Sequence, residues 1–273
     1  MPSAGRLRYL EALPQGTDRA GSTASASRGT LILIHAFPLN ARMWEPQLAL
    51  ADRGWRVVAP QLRGVEGGDG DPPTRSIDDY AGDVIDLLDA LQIHEAVIGG
   101  LSMGGYVTLA LFRHAPRYFL GMVLADTRPQ ADTPDGIEGR KRLLRLVREQ
   151  GVAALADEML PKLLGEATRR DRLDLVEHVR GLVLSSSIQS IGGAIAALMT
   201  RQDSTPLLQT IHCPVLILVG DEDTVTPRAV SEDMQRAIAG SELVVVPGAG
   251  HLSNVEQPAA FNEALARFLE HRL

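Results

Sequence analysis

From Ala96 to Phe112 the chain reads AVIGGLSMGGYVTLALF. A short β-prone run enters a cluster of four glycines with Ser102 among them, and a long apolar segment follows. A turn needs one or two glycines. Four around a single serine point to a tight bend, in which a Cβ at Gly100 or Gly104 would collide where the two flanking segments pass. A buried strand, a tight turn and a buried helix in direct succession restrict the fold to a parallel sheet covered by helices.

Other segments repeat that unit. Leu31–Ile34, Arg56–Ala59, Ala96–Ile98, Met122–Leu124, Val215–Val219 and Leu243–Val246 are short and almost continuously apolar, as expected of central strands covered on both faces. Helical patterns lie between them. Ser76 with Asp79 three residues on reads as a capping box, and Tyr80, Val84, Leu87, Leu88 and Leu91 then share one face. Thr226-Pro227 reads as an N-cap and first-turn proline for a helix that turns Val230, Met234 and Ile238 inward and ends at Gly240. Phe261, Leu265, Phe268 and Leu269 mark a C-terminal helix, and the first 29 residues offer one or two edge strands. From about Arg128 to Pro206 the patterns are helical throughout, which predicts a cap inserted into the α/β chain. The expected division is therefore 1–127 and 207–273 as the two parts of the core, with 128–206 as the helical cap.

Charge and cysteine content narrow the function. A net charge of −7 without a basic block argues against nucleic acid and against an anionic membrane surface. Arg140-Lys141-Arg142 alternates with apolar Leu143, Leu144 and Val147, so it reads as the wet face of a helix. The single cysteine, Cys213, allows no disulfide within the chain. The first residues lack the apolar stretch of a signal peptide, so a cytoplasmic protein is expected. Neither a metal-ligand cluster nor a nucleotide-binding fingerprint is legible, and no cofactor is expected.

Ser102 lies in Gly100-Leu101-Ser102-Met103-Gly104, a G-x-S-x-G motif between a strand and a helix. That context lifts a serine above the sheet edge and sets it at a helix N-terminus, where free N–H groups favour an oxyanion. A glycine-rich phosphate loop fits less well, because the G-x-G-x-x-G spacing and a Walker lysine are both missing. A serine hydroxyl needs a base to take its proton and an acid to orient that base. Catalytic groups of a parallel sheet gather at the carboxyl ends of its strands. Of seven histidines, His251 follows the run Leu243–Val246 on a Gly/Pro-rich loop and is the expected base. Asp221, Glu222 and Asp223 follow Val215–Val219, and Asp126 follows Met122–Leu124. Asp223 is the preferred acid and Asp126 the second choice.

The stretches HAFPLNARMW, GGLSMGG, LVGDEDTVTP and GAGHLSNVEQP resemble the α/β-hydrolase superfamily, and within it the small bacterial esterases, enol-lactonases and non-haem perhydrolases that carry a helical cap. The resemblance runs from about residue 30 to the end. It implies an oxyanion hole made by the backbone N–H groups of Met103 and Phe37. The second lies in a loop that usually reads His-Gly-x-Pro and here reads His35-Ala36-Phe37-Pro38. Relatives that dehalogenate or open epoxides carry aspartate at the nucleophile position, so Ser102 implies acyl transfer instead. The expected activity is a carboxylesterase for small or medium esters, working through Ser102, His251 and Asp223 as monomer or homodimer. A lactonase or a perhydrolase is the alternative; a C–C hydrolase or a ligand receptor is more remote. Phe37, Met103 and the aliphatic cap would make the pocket apolar, with Trp44 as a further wall or as core.

Overall fold

A computed structural model describes residues 1–14, 27–63 and 76–273. Eight strands form one sheet: β1 (Ser3–Ala4), β2 (Leu7–Ala12), β3 (Gly29–Ile34), β4 (Trp55–Gln61), β5 (Ala96–Leu101), β6 (Phe119–Ala125), β7 (Val215–Gly220) and β8 (Glu242–Val246). Their spatial order is β1-β2-β4-β3-β5-β6-β7-β8. The first two pairings are antiparallel and all the others parallel. All six apolar runs are strands, and the N-terminal edge strands are present as β1 and β2. One departs from the expected pattern. β8 closes the sheet as an edge strand, and four of its five residues are only half-buried.

The helices α1 (Ile77–Ala90), α2 (Met103–His114), α7 (Arg228–Ala237) and α9 (Pro258–His271) pack with the sheet, joined by the 3₁₀ segment Ala41–Arg53. Ser76 and Asp79 form the predicted capping box. This leaves Tyr80, Val84, Leu87 and Leu88 free to bury fully. The predicted start of α7 is one residue early. Pro227 stands at the N-cap with extended backbone, and Thr226 is occupied elsewhere, as described below.

Between β6 and β7 lie α3 (Pro134–Leu163), α4 (Glu166–Asp171), α5 (Leu173–Leu184) and α6 (Ile188–Met199), and no strand among the described residues. Gly151, at φ 85°, divides α3 into two helical halves. Of the basic run on α3, Lys141 and Arg142 face water and pair with Glu138 and Glu158, whereas Arg140 is half-buried against the buried Asp132 side chain; Leu143 and Val147 are buried. Among the described residues no single helix is long and apolar enough to cross a membrane; α5 and α6 pass together by length and composition but are bent by 91°.

Register brings the strand ends level. Ile34 pairs with Gly100, Leu101 with Ala125, Ala125 with Leu218, and Gly220 with Val246. The segments leaving β3, β5, β6, β7 and β8 therefore converge on one edge, the crevice where such sheets place their chemistry. The candidate residues sit on these segments.

Candidate active site

Ser102 connects β5 to α2 with φ 56° and ψ −113°, a left-handed conformation that costs a non-glycine residue of order 1–3 kcal/mol. Its neighbours hold it there. The Ser102 N–H donates to the Ala125 carbonyl (2.9 Å), and its own carbonyl accepts from Gly105 N–H (2.9 Å) and from the Thr127 hydroxyl (2.8 Å). The glycines answer a steric demand. A Cβ on Gly100 would lie 2.3 Å from the Gly104 carbonyl carbon, and one on Gly104 would lie 2.0 Å from the Ile34 carbonyl oxygen. The outer pair, Gly99 and Gly105, lie as close to Val123 and Thr127. The bend can close only with hydrogens at these positions.

His251 reaches the serine from the loop after β8. Its Nε2 lies 2.8 Å from Ser102 Oγ, and its Nδ1 lies 2.8 Å from Asp223 Oδ2. The imidazole is 1% exposed and Ser102 8%. Proton placement follows from the partners. The ionised carboxylate fixes Nδ1 as the donor, so Nε2 is left as the acceptor for the Ser102 hydroxyl. Burial pushes the Asp223 carboxyl up. The facing His251 and the hydrogen bonds from His251 and Thr226 outweigh it, leaving Asp223 below the usual carboxylate range.

Asp223 is held on every side. Oδ1 accepts from the N–H groups of Val225 (2.8 Å) and Thr226 (3.0 Å), and Oδ2 also accepts from the Thr226 hydroxyl (2.6 Å). Capping the turn and facing the histidine are done by its two different oxygens. Thr226, read from sequence as a helix cap, is instead a donor to this carboxylate. The Asx-turn itself is the bond from Val225 N–H, two residues on, and it brings Thr226 against the same carboxylate.

Asp126, the second choice for the acid, does not bond His251. Its Oδ1 accepts from Gly220 N–H (2.8 Å) and its Oδ2 meets the Ser253 hydroxyl. Asp221 accepts from Gly248 N–H (2.7 Å), and Glu222 from Glu166 N–H (2.9 Å), so neither competes for the imidazole. Trp44 is core rather than pocket wall: it is 1% exposed and tilted against Phe261 at 6.0 Å between ring centroids. Glu256, which sequence reasoning passed over, accepts from Gly165 N–H and Gly250 N–H, both at 2.8 Å, and so ties the segment after α3 to the histidine loop. Only the folded proximity of the two loops identifies it.

The loop expected to supply an oxyanion amide follows β3. Among the described residues the amides of Phe37 and Met103 donate to no protein acceptor, whereas the N–H of Ala36, just before Phe37, contacts Met43 Sδ at 3.2 Å. The Phe37–Pro38 bond is cis. Alanine in place of the usual glycine is accommodated, since Ala36 is not among the residues with left-handed φ. Below it, His35 is buried, with Nε2 accepting from Leu62 N–H (3.1 Å) and Nδ1 facing the Ala36 carbonyl (3.1 Å).

Burial pushes the His35 imidazole down to about 4, against the opposing pull of the Ala36 carbonyl. As pH falls below about 6.5 an unfolded chain takes up a proton on this residue. The folded chain does not do so until about pH 4. Stability contributed by the neutral ring is therefore lost on acidification through that window, by about 3 kcal/mol at its lower end. Urea unfolding at about pH 7.5 and about pH 4.5 should show a smaller acid-induced loss in His35→Gln than in the unaltered protein. Equal losses in the two proteins would contradict this.

Among the described residues no group of three or more histidine, cysteine, aspartate or glutamate side chains is placed to hold a metal ion.

The profile of a family described as the alpha/beta hydrolase family matches residues 31–264. A protein named 3-oxoadipate enol-lactonase 2, from Acinetobacter baylyi, is 34% identical over 242 residues, 88% of each chain. Among solved structures, a thermophilic esterase from Thermogutta terrifontis superposes with a TM-score of 0.88 at 34% identity, covering 97% of this chain and 93% of its own. A hydrolase from Pseudomonas aeruginosa PA01 superposes at 0.82 with 30% identity, covering 98% and 99%. Strand order, elbow and profile agree, and the chain belongs to the alpha/beta hydrolase family.

Proposed function

We propose that the protein is a serine-dependent carboxylic ester hydrolase in which Ser102 is the nucleophile, His251 the general base and acid, and Asp223 the group that orients and stabilises the imidazolium. The observation that carries this reading is the unbroken relay of two 2.8 Å hydrogen bonds from Ser102 Oγ through His251 to Asp223 Oδ2. Ser102 Oγ attacks the ester carbonyl as its proton passes to His251 Nε2. The carbonyl oxygen becomes an oxyanion held by the amides of Phe37 and Met103, each donor contributing about 3–4 kcal/mol to the transition state. His251 then protonates the departing alkoxide, leaving an acyl-serine. Water, deprotonated by the same nitrogen, releases the acid and restores the hydroxyl.

The substrate is a small or medium ester met in the cytoplasm, and the protein acts as a monomer or homodimer. A second reading, lactone hydrolysis, draws on the 34% identity to the Acinetobacter enol-lactonase. The steps are the same, except that the leaving alkoxide stays tethered to the acyl group. A panel of esters graded by acyl length, together with lactones, separates the two by kcat/KM.

The mechanism predicts that a fluorophosphonate probe will add covalently to Ser102 and stop p-nitrophenyl acetate turnover in proportion to labelling. Peptide mass spectrometry showing Ser102 unmodified in fully inhibited protein would remove the serine from the mechanism.

A further inference from the structure

The loops that carry His251 and Asp223 come from different strands, and their relative position sets the relay. They approach very closely. A Cβ on Gly220 would stand 2.1 Å from the Gly250 carbonyl oxygen and 2.3 Å from that of Ala249. On the outer side, Asp221 Oδ1 links the two by accepting from Gly248 N–H and Ala249 N–H. On the inner side a third strand intervenes. Asp126, the first residue after β6, is fully buried and has φ 43°. That is left-handed backbone an aspartate adopts at a cost and keeps only where its surroundings enforce it. Its N–H donates to the Leu218 carbonyl of β7 (2.8 Å). Its Oδ1 accepts from Gly220 N–H (2.8 Å), and the Gly220 carbonyl in turn accepts from Asp223 N–H (3.2 Å). Its Oδ2 meets the hydroxyl of Ser253, two residues beyond His251.

We propose that Asp126 is a positioning residue whose buried carboxyl group bridges the turn bearing Asp223 and the loop bearing His251, and so sets the separation of base and acid. The inference rests on the triad reading above. It gives a role to Asp126, the second choice for the acid, which the relay leaves unused.

The charge state fits a bridge. Burial raises the Asp126 carboxyl well above its usual range, and the nearby Asp223 adds to this, with Glu256 of α8 (Ser253–Glu256) a further negative neighbour. The hydrogen bonds from Ser253 and Gly220 offset it only in part. Asp126 accepts from Gly220 N–H at Oδ1 and from the Ser253 hydroxyl at Oδ2. Asparagine keeps both contacts: its carbonyl faces Gly220 N–H, and its amide N–H donates to the Ser253 oxygen once that hydroxyl turns from donor to acceptor. A carboxylate facing the imidazole would have no such substitute.

The test measures steady-state hydrolysis of p-nitrophenyl acetate, with kcat counted per site titrated by a fluorophosphonate, for the unaltered protein, Asp126→Asn, Asp126→Ala and Ser253→Ala. Misplacing the base by a fraction of an ångström predicts a kcat lower by about 100-fold in Asp126→Ala and about 10-fold in Ser253→Ala, with KM within about twofold. Asp126→Asn should restore kcat to within about threefold of the unaltered protein, because both hydrogen bonds are kept. Where Asp126→Ala does not fold, the other two variants decide. A kcat per titrated site that stays within about threefold in Ser253→Ala and, where it folds, in Asp126→Ala would reduce the residue to a stabilising role and overturn the proposal. So would an Asp126→Asn protein as slow as Asp126→Ala. Failure of the probe to label Ser102 in the unaltered protein is a separate outcome: it defeats the hydrolase reading itself and the bridge with it.

Discussion

Ser102→Ala is expected to lower ester turnover by about a millionfold, and His251→Ala by a similar factor, while the double variant is hardly slower than either. In the proposed mechanism the nucleophile and its base act as one unit. Without Oγ the imidazole has nothing to deprotonate but water, and without Nε2 the hydroxyl keeps its proton. What remains is the contribution of the oxyanion amides and of substrate binding, about a thousandfold over water. The Ser102→Ala protein should retain its fold. The strained backbone is fixed by bonds made through its main-chain atoms, from Ala125, Gly105 and Thr127, and alanine preserves every one of them. Measured kcat/KM values for the two single variants and the pair check this directly. A double variant slowed by the product of the two single effects would show that Ser102 and His251 act in separate steps.

The sequence made parts of this site legible for physical reasons that differ from residue to residue. Ser102 could be read because the elbow is a local object: strand, glycines and helix lie within a few residues, and the glycines follow from contacts as near as Gly100 to Gly104. His251 could be read because topology places useful residues after strands, and it stands on the loop leaving β8. The sheet could be read because buried parallel strands are continuously apolar. β8 carries the same pattern but lies at the edge, a position fixed by strand order, which no local pattern records. The acid was the hardest assignment. Asp126 and Asp223 both follow apolar strands, and what separates them is depth. Ala125 pairs with Leu218, so Asp126 sits level with the end of β7 and points at Gly220, whereas Asp223 lies three residues farther out, beside the imidazole. Thr226 reads from sequence only as a helix cap, although its partner Asp223 lies three residues away; Ser253 and Glu256 escaped notice because their partners Asp126 and Gly165 come near only once the loops have met.

That difference in depth leads to opposite outcomes for the same chemical change. Asp223→Asn should lower kcat by about ten-thousandfold, whereas Asp126→Asn should leave it nearly unchanged. At position 223 the amide has one workable orientation. Oδ1 faces two N–H donors, from Val225 and Thr226, so the asparagine oxygen must stay there. Its NH₂ group then points at His251 Nδ1 and at the Thr226 hydroxyl, where Oδ2 accepted before. Nδ1 becomes an acceptor and the ring proton moves to Nε2, which then donates toward Ser102 Oγ and cannot take its proton. The stabilising charge opposite the imidazolium disappears as well. At position 126 the asparagine keeps both hydrogen bonds and faces no imidazole, so neither argument applies. Comparing kcat for the two asparagine variants therefore identifies the triad acid without reference to stability. If Asp126→Asn were the slower enzyme, the acid would have to be moved from β7 to β6.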